Sequence, residues 1–334
     1  MTNSTSTRVT FLGPSASFSH QVRKHGLSWS YNLFYRAPFS ETCINKKQAA
    51  LNSFGKSVKL FPSVSFTQAF SAVQNDSADY AVIPFENSTN GSVVQTLDLL
   101  ADRQRLYKDV TVCGEYFLTV HHCLIAGKPV TKEEYGSITK LYTHPQAWGQ
   151  CDSFLTKNFT GVERQDVSST SKATEIVSKD TTGQTAAIAS RLAAENYNAF
   201  VLEENIEDRA DNTTRFLILR NIQSARTANA SVNLADNGVA TSKTRKTLIS
   251  FMIEHSSPGA LADALSVFKS HGLNLTSINS RPSMLRPWQY IFFIECEHVP
   301  NSSIHNTLEE LKSICKSYRD WGTWIDGLPF PGTV

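Results

Sequence analysis

Asp79-Tyr-Ala-Val-Ile-Pro-Phe-Glu-Asn-Ser-Thr-Asn-Gly91 is the stretch that best indicates the fold of this 334-residue chain. Its apolar start, residues 79–83, predicts a buried strand that stops at Pro84. Residues 86–91 form a polar turn, and the pattern over residues 93–100 is helical. The order of strand, polar turn and helix predicts one unit of an α/β sheet.

The same order recurs along the first two-thirds of the chain. Strands are predicted at residues 9–12, 58–61, 137–142, 162–167, 186–189 and 216–219. An amphipathic helix is predicted through Phe66, Phe70 and Val73, and another begins at His144-Pro145-Gln146, where proline suits the first helical turn. We therefore predict an α/β architecture with substantial parallel sheet. Residues 27–55 show no clean period and predict an insertion.

Composition changes twice along the chain and predicts its domains. Residues 1–7 are polar and predict a disordered tail, residues 8–220 form the α/β part, and residues 221–244 are small, polar and aperiodic, as in a linker. Residues 245–334 follow with a βαββαβ pattern, which predicts a ferredoxin-like unit. We expect this unit to sense a ligand or to mediate dimerisation, since such units rarely carry chemistry alone.

Bulk properties exclude several classes of function. A net charge of +2 without a long basic run argues against nucleic-acid binding, and no apolar stretch approaches the roughly 20 residues that cross a bilayer. The start of the chain lacks the charged and apolar regions of a signal peptide, and the six cysteines are scattered without metal-binding spacing. We expect a cytoplasmic protein with reduced thiols, no membrane partner and no nucleic-acid partner.

Four polar turns follow predicted strands and precede predicted helices. In open α/β sheets the ligand crevice lies outside the carboxyl ends of the strands, where helix amino termini favour an anion. Each turn alone is more often a helix cap or a simple turn, but their recurrence predicts a pocket for a small carboxylate. The four turns are residues 13–19, 86–91, 144–146 and 168–170.

No competing motif is present. The sequence lacks a dinucleotide or phosphate-binding glycine loop, a His-Glu-x-x-His zinc motif and a Gly-x-Ser-x-Gly elbow. His121-His122 has no third ligand at useful spacing, so neither a metal nor a cofactor is expected.

Together these segments resemble the prephenate dehydratase family in order and spacing from residue 8 to residue 220. The matching motifs are Phe11-Leu-Gly-Pro-Ser-Ala-Ser-Phe-Ser19, Pro84-Phe-Glu-Asn-Ser88 with Gly91 and Thr96-Leu-Asp98, His144-Pro-Gln-Ala147 with Gln150-Cys151, Ser169-Thr170, the run at residues 187–190, and Thr214-Arg215-Phe216.

The resemblance implies a two-lobed catalytic domain of the type II periplasmic-binding-protein kind, with lobe 1 at residues 8–112 and 191–220 and lobe 2 at residues 113–190. It implies conversion of prephenate to phenylpyruvate without a cofactor, in a cleft between the lobes. The residues that would bind substrate are Ser17, Ser19, Glu86, Asn87, Ser88, Gly91, His144, Gln146, Ser169, Thr170, Arg215 and Phe216.

Thr214 is the residue to which we assign the catalytic proton. Aromatisation supplies the driving force, so the enzyme has to protonate the departing hydroxyl and hold two carboxylates. Arg215 either pairs with the substrate or braces the turn through a carboxylate such as Glu86, and because its side chain points opposite to that of Thr214 in a strand, bracing is favoured.

The resemblance further implies that residues 245–334 are an ACT domain that binds phenylalanine as a feedback effector. The effector would contact Gly259, Ala260, Leu261, Asn279, Ser280, Arg281 and Pro282. Asn279 replaces the family's usual glutamate, which implies altered feedback, and Ala16-Ser17 replaces the usual Gly-Thr but keeps a hydroxyl. ACT domains usually pair side by side, so a homodimer or homotetramer is expected.

Two other functions stay open. Arogenate dehydratase would keep the fold and change the substrate. A non-catalytic amino-acid-sensing protein would bind ligand without turnover, although a receptor has no need of a hydroxyl such as that of Thr214. A second, mutase activity is not expected, because no helical segment precedes Arg8.

Overall fold

A computed structural model describes residues 6–12, 41–55, 57–228, 244–254, 256–299 and 304–327. Several predictions lie outside the described residues: the tail up to residue 5, the candidate residues Ser17 and Ser19, residues 27–40 of the predicted insertion and residues 229–243 of the linker.

Strands and helices alternate along the described chain as the sequence predicts. In chain order they are β1 (Arg8–Leu12), α1 (Glu41–Phe54), β2 (Lys59–Ser63), α2 (Phe66–Gln74), β3 (Tyr80–Asn87), β4 (Gly91–Ser92), α3 (Val94–Leu100), β5 (Val110–Thr119), β6 (Cys123–Ala126), β7 (Lys140–Thr143), α4 (Pro145–Trp148), α5 (Asp152–Asn158), β8 (Glu163–Asp166), α6 (Thr170–Val177), β9 (Thr185–Ala189), α7 (Arg191–Tyr197), β10 (Phe200–Glu204), β11 (Thr213–Asn221), β12 (Arg245–Met252), α8 (Ala260–Ser270), β13 (Asn274–Pro282), β14 (Tyr290–His298), α9 (Ile304–Ile314) and β15 (Ser317–Ile325).

The first part of the chain builds two mixed sheets. Sheet 1 has the order β2-β1-β3-β11-β5, with β4 paired to β3, and sheet 2 has the order β10-β6-β9-β7-β8. In sheet 1, β1 is parallel to β2 and β3, whereas β11 is antiparallel to β3 and β5. In sheet 2, β7 is parallel to β8 and β9, whereas β6 is antiparallel to β9 and β10. The prediction of an α/β, two-lobed fold is confirmed.

Two crossover segments, residues 120–122 and 205–212, join the sheets. The boundaries between the lobes therefore differ from those predicted at 112/113 and 190/191. Residues 110–119 form β5 in sheet 1, while residues 191–204 form α7 and β10 on sheet 2. Hydropathy marks β5 and β10 as strands but carries no signal of which sheet each joins.

The prediction that the third strand stops at Pro84 is wrong. Strand β3 continues to Asn87, although proline cannot donate a ladder hydrogen bond. Pairing between β1 and β3 ends at Val82, so no bond to that side is lost at Pro84. On the other side the register with β11 shifts between Arg215 and Phe216, and such an irregularity tolerates proline.

Residues 41–54 of the predicted insertion form helix α1. Ala49 and Ala50 are fully buried against Val9, Tyr80 and Val82 of sheet 1. This helix belongs to the core of the first lobe, because two small residues let it approach the sheet closely.

Residues 245–325 fold as β12-α8-β13-β14-α9-β15, with a four-stranded antiparallel sheet in the order β13-β14-β12-β15. The predicted βαββαβ unit is confirmed, and we call it the C-terminal module. The last strand of the module, β15, runs from Ser317 to Ile325.

The C-terminal module packs on one face of sheet 1 and shares its core. Leu217 and Leu219 of β11 lie in one buried cluster with Leu248, Phe293 and Trp321 of the module. Strand β15 approaches β5 closely enough that Thr111 Oγ1 donates to the Trp321 carbonyl oxygen over 2.7 Å. Gly322 permits this approach, since its φ is +122° and a Cβ there would lie 2.3 Å from the Val112 carbonyl oxygen.

Among the helices of the described residues, we find none that has both the length and the apolar character needed to span a membrane.

Candidate active site at two facing strand edges

The topology brings the carboxyl ends of the parallel strands of both sheets to the crossovers. In sheet 1, Asn87 at the end of β3 lies opposite Thr214 near the start of β11, and Thr213 pairs with Thr119 at the end of β5. In sheet 2, the start of β6 pairs with the end of β9. The crossovers therefore run from one carboxyl edge to the other, and the predicted polar turns at residues 86–91, 144–146 and 168–170 lie along these two edges. The fourth turn, residues 13–19, lies outside the described residues. This is the position of the crevice expected for open α/β sheets.

Thr214 lies near the start of β11, at the carboxyl edge of sheet 1, and a hydrogen-bond network holds it there. The Asn87 side-chain amide donates to Thr214 Oγ1 over 3.1 Å and to Asn212 Oδ1 over 2.9 Å. The Thr214 hydroxyl is thus an acceptor from an amide, while its own proton has no acceptor assigned to it in the described chain. Consecutive hydrogen bonds polarise one another. The bond that the Thr214 hydroxyl accepts from Asn87 therefore makes this hydroxyl a better hydrogen-bond donor.

Ser88 fixes the start of β11 from the neighbouring strand. Its hydroxyl accepts from Thr213 N over 2.9 Å and donates to the Asp211 carbonyl oxygen over 3.2 Å, and Ser88 N donates to the Thr213 carbonyl oxygen over 2.8 Å. Asn87 and Ser88 therefore serve protein contacts in this structure. Their contact with substrate stays a prediction.

The turn that carries Glu86 closes tightly. Asn87 Oδ1 accepts from the backbone of Thr89 and Asn90, which is an Asx turn, and Gly91 then adopts a φ of +75°. A side chain at Gly91 would meet no atom within 4 Å, so backbone conformation, and not space, favours glycine here. Glu86 is half-buried and lies opposite Ser92 in the β3–β4 ladder.

The second edge presents two predicted turns as helix caps. His144 is the N-cap of α4, and its Nδ1 accepts from Gln146 N over 3.3 Å, with Gln146 exposed. Ser169 is the N-cap of α6 and accepts from Lys172 N over 3.0 Å. Thr170 is fully buried, and its hydroxyl has no hydrogen-bond partner within the described ranges. His144 and Ser169 are therefore helix caps, and their contact with substrate stays a prediction.

Arg215 lies on the side of β11 that faces the C-terminal module. Its Nε donates to Glu115 Oε2 over 2.7 Å, and its Nη2 contacts both Glu115 Oε2 (2.5 Å) and Glu295 Oε2. Burial disfavours the charge, but the carboxylates of Glu115 and Glu295 more than offset this and raise the pKa of Arg215 above its ordinary value. The geometry supports bracing over contact with substrate, through Glu115 and Glu295 and not through Glu86.

Phe216 is 1% exposed and packs with Val9, Val82 and Ile218 in the core of sheet 1. This supports a role in fixing β11, and not the predicted direct contact with substrate.

The two predicted effector motifs lie at one end of the module's sheet. Register places Phe251, Phe292 and Ser280 in one row, and Gly259 follows the end of β12 with a φ of +85° as the N-cap of α8. Effector contact by Gly259, Ala260, Leu261 and residues 279–282 stays a prediction.

Part of the second motif contacts the catalytic part of the chain. Asn279 Oδ1 accepts from Ser92 Oγ over 2.7 Å, and Arg281 Nε donates to Asp98 Oδ1 over 2.9 Å. Arg103 donates to Asp98 and to the Pro282 carbonyl oxygen. We call Asp98, Arg103, Arg281 and the Asn279–Ser92 pair the rim cluster.

Sequence reasoning missed the charged residues around Arg215. Glu115 and Glu295 are 1% and 2% exposed, and Lys246 is 5% exposed. Charged residues are almost never fully buried unless they are paired, so a lone charge inside an apolar strand pattern was the available signal. Glu115 follows Val-Thr-Val-Cys-Gly, and Glu295 follows Ile-Phe-Phe-Ile.

The crossovers also hold a pair that the sequence left unexplained. His121 Nδ1 lies 2.7 Å from Glu207 Oε1, and His122 N donates to Glu207 Oε2 over 2.8 Å. These contacts tie one crossover to the other, so the two histidines serve the junction between the lobes.

The family model described as prephenate dehydratase matches residues 41–224. The chain is 33% identical to the "Probable prephenate dehydratase" of Saccharomyces cerevisiae over 95% of this chain and 96% of that protein. It is 32% identical to "Arogenate dehydratase 1" of Petunia hybrida over 83% of this chain and 63% of that protein.

Two solved structures share the fold along nearly the whole chain. One is a prephenate dehydratase from Arthrobacter aurescens in complex with L-Phe, with a TM-score of 0.67 at 24% identity over 95% of this chain and 89% of that one. The other is GqqA, described as a quorum quenching acylase, with a TM-score of 0.70 at 24% identity over 96% of this chain and 98% of that one. At this identity both bear on the fold alone.

Proposed function

The chain belongs to the prephenate dehydratase family, and we propose that it is a carbon–oxygen lyase that converts prephenate to phenylpyruvate, with Thr214 as the proton donor. The observation that carries the proposal is the Thr214 hydroxyl at the edge of sheet 1, where it accepts a hydrogen bond from Asn87. The reaction would serve phenylalanine biosynthesis.

The reaction balances with one proton taken up. The bond between the ring and its carboxylate breaks, and its electron pair enters the ring as CO2 leaves. The C4–oxygen bond breaks with its pair on oxygen, and Thr214 supplies the proton that turns this oxygen into water. A proton from solvent then restores Thr214, so prephenate dianion and one proton give phenylpyruvate monoanion, CO2 and water.

A threonine hydroxyl is a weak acid, and its environment has to do much of the work. General acid catalysis contributes about 10²–10⁴-fold, and positioning supplies a further share. Asn87 and Ser88 support this role. Asn87 donates to the Thr214 hydroxyl and orients it, while Ser88 binds Thr213 N and the Asp211 carbonyl oxygen and so fixes the start of β11.

The substrate's two carboxylates require donors from the cleft. The predicted donors on the second edge are Gln146, Ser169 and Thr170, and those on the first edge are Asn87 and Ser88. Ser17 is a further predicted donor and lies outside the described residues. The exposed Gln146 side chain and the amino terminus of α6 at Ser169 support this arrangement, since both lie at the carboxyl edge of sheet 2.

The C-terminal module acts in this proposal as an ACT domain that binds phenylalanine. Its βαββαβ topology and the fold it shares with a structure that holds L-Phe support this reading. Strand β13 forms an edge of the module's sheet and exposes Ile278, which supports the expected homodimer or homotetramer. We place the protein in the cytoplasm on the cysteine pattern and the biosynthetic role.

The test is phenylpyruvate formation from prephenate by the wild type and by Thr214→Val. Thr213→Val is the matched control, because Thr213 lies next in the same strand, points to the other face and donates to the Asp211 carbonyl oxygen. We expect Thr214→Val to lose at least 100-fold in kcat while it still binds prephenate, and Thr213→Val to stay within a few-fold. Near-normal turnover by Thr214→Val would rule out its role.

Arogenate is the second candidate substrate, favoured by the identity to the Petunia hybrida protein. Parallel kcat/KM values for prephenate and arogenate decide between them. Binding without product from either compound would instead support a non-catalytic sensor.

A further inference from the structure

Five charged residues form a buried cluster where the C-terminal module meets sheet 1. Glu115 and Arg215 come from sheet 1, and the module supplies Lys246, Glu295 and Asp326. Lys246 Nζ lies 3.2 Å from Glu115 Oε1 and 2.8 Å from Asp326 Oδ1. We call these five residues the buried cluster.

Every carboxylate oxygen of Glu115 and Glu295 has a partner. Glu115 Oε1 also accepts from Gly327 N over 2.8 Å, and Glu295 Oε1 accepts from Thr276 Oγ1 over 2.8 Å. The charges are therefore fixed in position, since a shift of one member would leave another buried charge without its partner. Replacing such a cluster by apolar residues often costs nothing in stability, so stability alone gives no reason to keep it.

The cluster lies directly beneath the proposed proton donor. Arg215 follows Thr214 in β11, and its guanidinium lies between the rings of Phe85 and Phe117, 5.3 and 5.7 Å from their centres. Phe85 is on β3 and Phe117 is on β5, so Arg215 is clamped by both neighbours of β11. The peptide that joins Arg215 to Thr214 is thus attached to a side chain that the fold holds in place.

We infer that Glu295 of the C-terminal module is a positioning residue for Thr214 and acts through Arg215. Glu115 holds the guanidinium through Oε2, while its Oε1 is bound by Lys246 and Gly327 N, and Glu295 supplies the second carboxylate contact of Arg215 Nη2. Thr276 of β13 holds Glu295 in turn, because its hydroxyl donates to Glu295 Oε1. The catalytic part of the chain is thus completed by a side chain of the module, and a chain of contacts runs from Thr276 of β13 through Glu295 of β14 to Arg215 of β11. This inference rests on the proposed function.

The main variant is Glu295→Gln, which keeps the size of the side chain and removes its charge. Glu297→Gln is the matched control, because Glu297 lies two residues further along β14 and its side chain accepts a hydrogen bond from Asn274 within the module. Glu295→Asp keeps the charge but shortens the side chain, and it serves as the second variant if the first does not fold.

We expect Glu295→Gln to lower kcat for prephenate about 10- to 100-fold, because small misplacements of a catalytic group have effects of this size. KM should change less than threefold, and Glu297→Gln should match the wild type. In an Arg215→Gln background, Glu295→Gln should have no further effect on kcat. A wild-type kcat in folded Glu295→Gln and Glu295→Asp, or losses that multiply in the double variant, would overturn the inference.

Hydrogen–deuterium exchange separates this inference from the proposed function. Glu295→Gln should speed amide exchange at residues 213–216 at least tenfold, and Glu297→Gln should not. This arm needs no turnover, so it still tests the positioning of Thr214 if the wild type forms no phenylpyruvate, an outcome that would reject the proposed function. Unchanged exchange at these residues would reject the inference.

Discussion

The buried cluster and the rim cluster cross the same interface under opposite conditions. Arg215 and Glu295 are 8% and 2% exposed at their side chains, whereas Arg281 and Asp98 are 26% and 35% exposed. Both contacts reach the candidate site: the buried cluster through the residue after Thr214, and the rim cluster through Ser92, which pairs with Glu86. Solvent therefore screens the ion pairs of the rim cluster, whereas the ion pairs of the buried cluster are shielded from solvent.

This difference in exposure gives the two clusters different roles at the interface. The buried cluster tolerates only one arrangement, because each of its charges depends on another. The rim cluster can exchange its partners for water at little cost, so it can break when the module binds a ligand. Asn279, Arg281 and Pro282 of the predicted effector motif take part in the rim cluster, where contacts can form and break reversibly.

Arg215→Met should have the largest effect on stability. It leaves Glu115 and Glu295 buried without their common partner, and breaking a buried pair costs about 3–5 kcal/mol. Urea unfolding followed by circular dichroism measures this loss. Arg220→Met, on the same strand but half-buried, is the control and should cost less than about 1 kcal/mol. Equal losses for the two variants would mean that burial of the cluster has no special energetic role.

Asp98→Asn should cost far less, about 0.2–1 kcal/mol, because solvent screens the contacts of Asp98 with Arg281 and Arg103. Burial raises the pKa of Asp98, but hydrogen bonds from Arg281 and Arg103 outweigh this and lower it below its usual value. The contribution is therefore complete above about pH 4, the ordinary pKa of an aspartate, and is lost as pH falls through the lower folded value.

The unfolding free energies of wild type and Asp98→Asn should accordingly converge in acid. Glu309→Gln, which removes an exposed pair with Lys312 inside the module, is the control for general effects of charge. A difference that stays constant down to pH 2 would show that the Asp98 carboxylate contributes no charge-dependent stability.

Asn279→Glu tests the smallest element of the comparison, a single hydrogen bond to Ser92. Glutamate can still accept from Ser92 Oγ but adds a negative charge near Glu86, so we expect a shift of a few-fold in the phenylalanine concentration that gives half-inhibition. Steady-state inhibition curves for the two proteins measure it. Superimposable curves would remove Asn279 from the effector response.

Local pattern was enough for most of the fold. The strands at residues 8–12, 185–189 and 213–221 and the helix cap at His144 follow from apolar runs and cap chemistry that a single segment contains. Pro84 and α1 were misjudged because their state depends on neighbours: an irregular register with β11 in one case, and a surface of sheet 1 that accepts two alanines in the other.

By itself the sequence determined the α/β class, the βαββαβ module and the set of polar turns that mark the candidate site, because each of these depends on residues close in the chain. The tertiary structure decided which strands share a sheet and which charges meet. Arg215 lies 100 positions after Glu115 and 80 positions before Glu295, yet the three residues share one buried contact. Long-range pairing of this kind leaves no periodic trace, since the energy of a buried charge depends on partners that only the folded chain brings together.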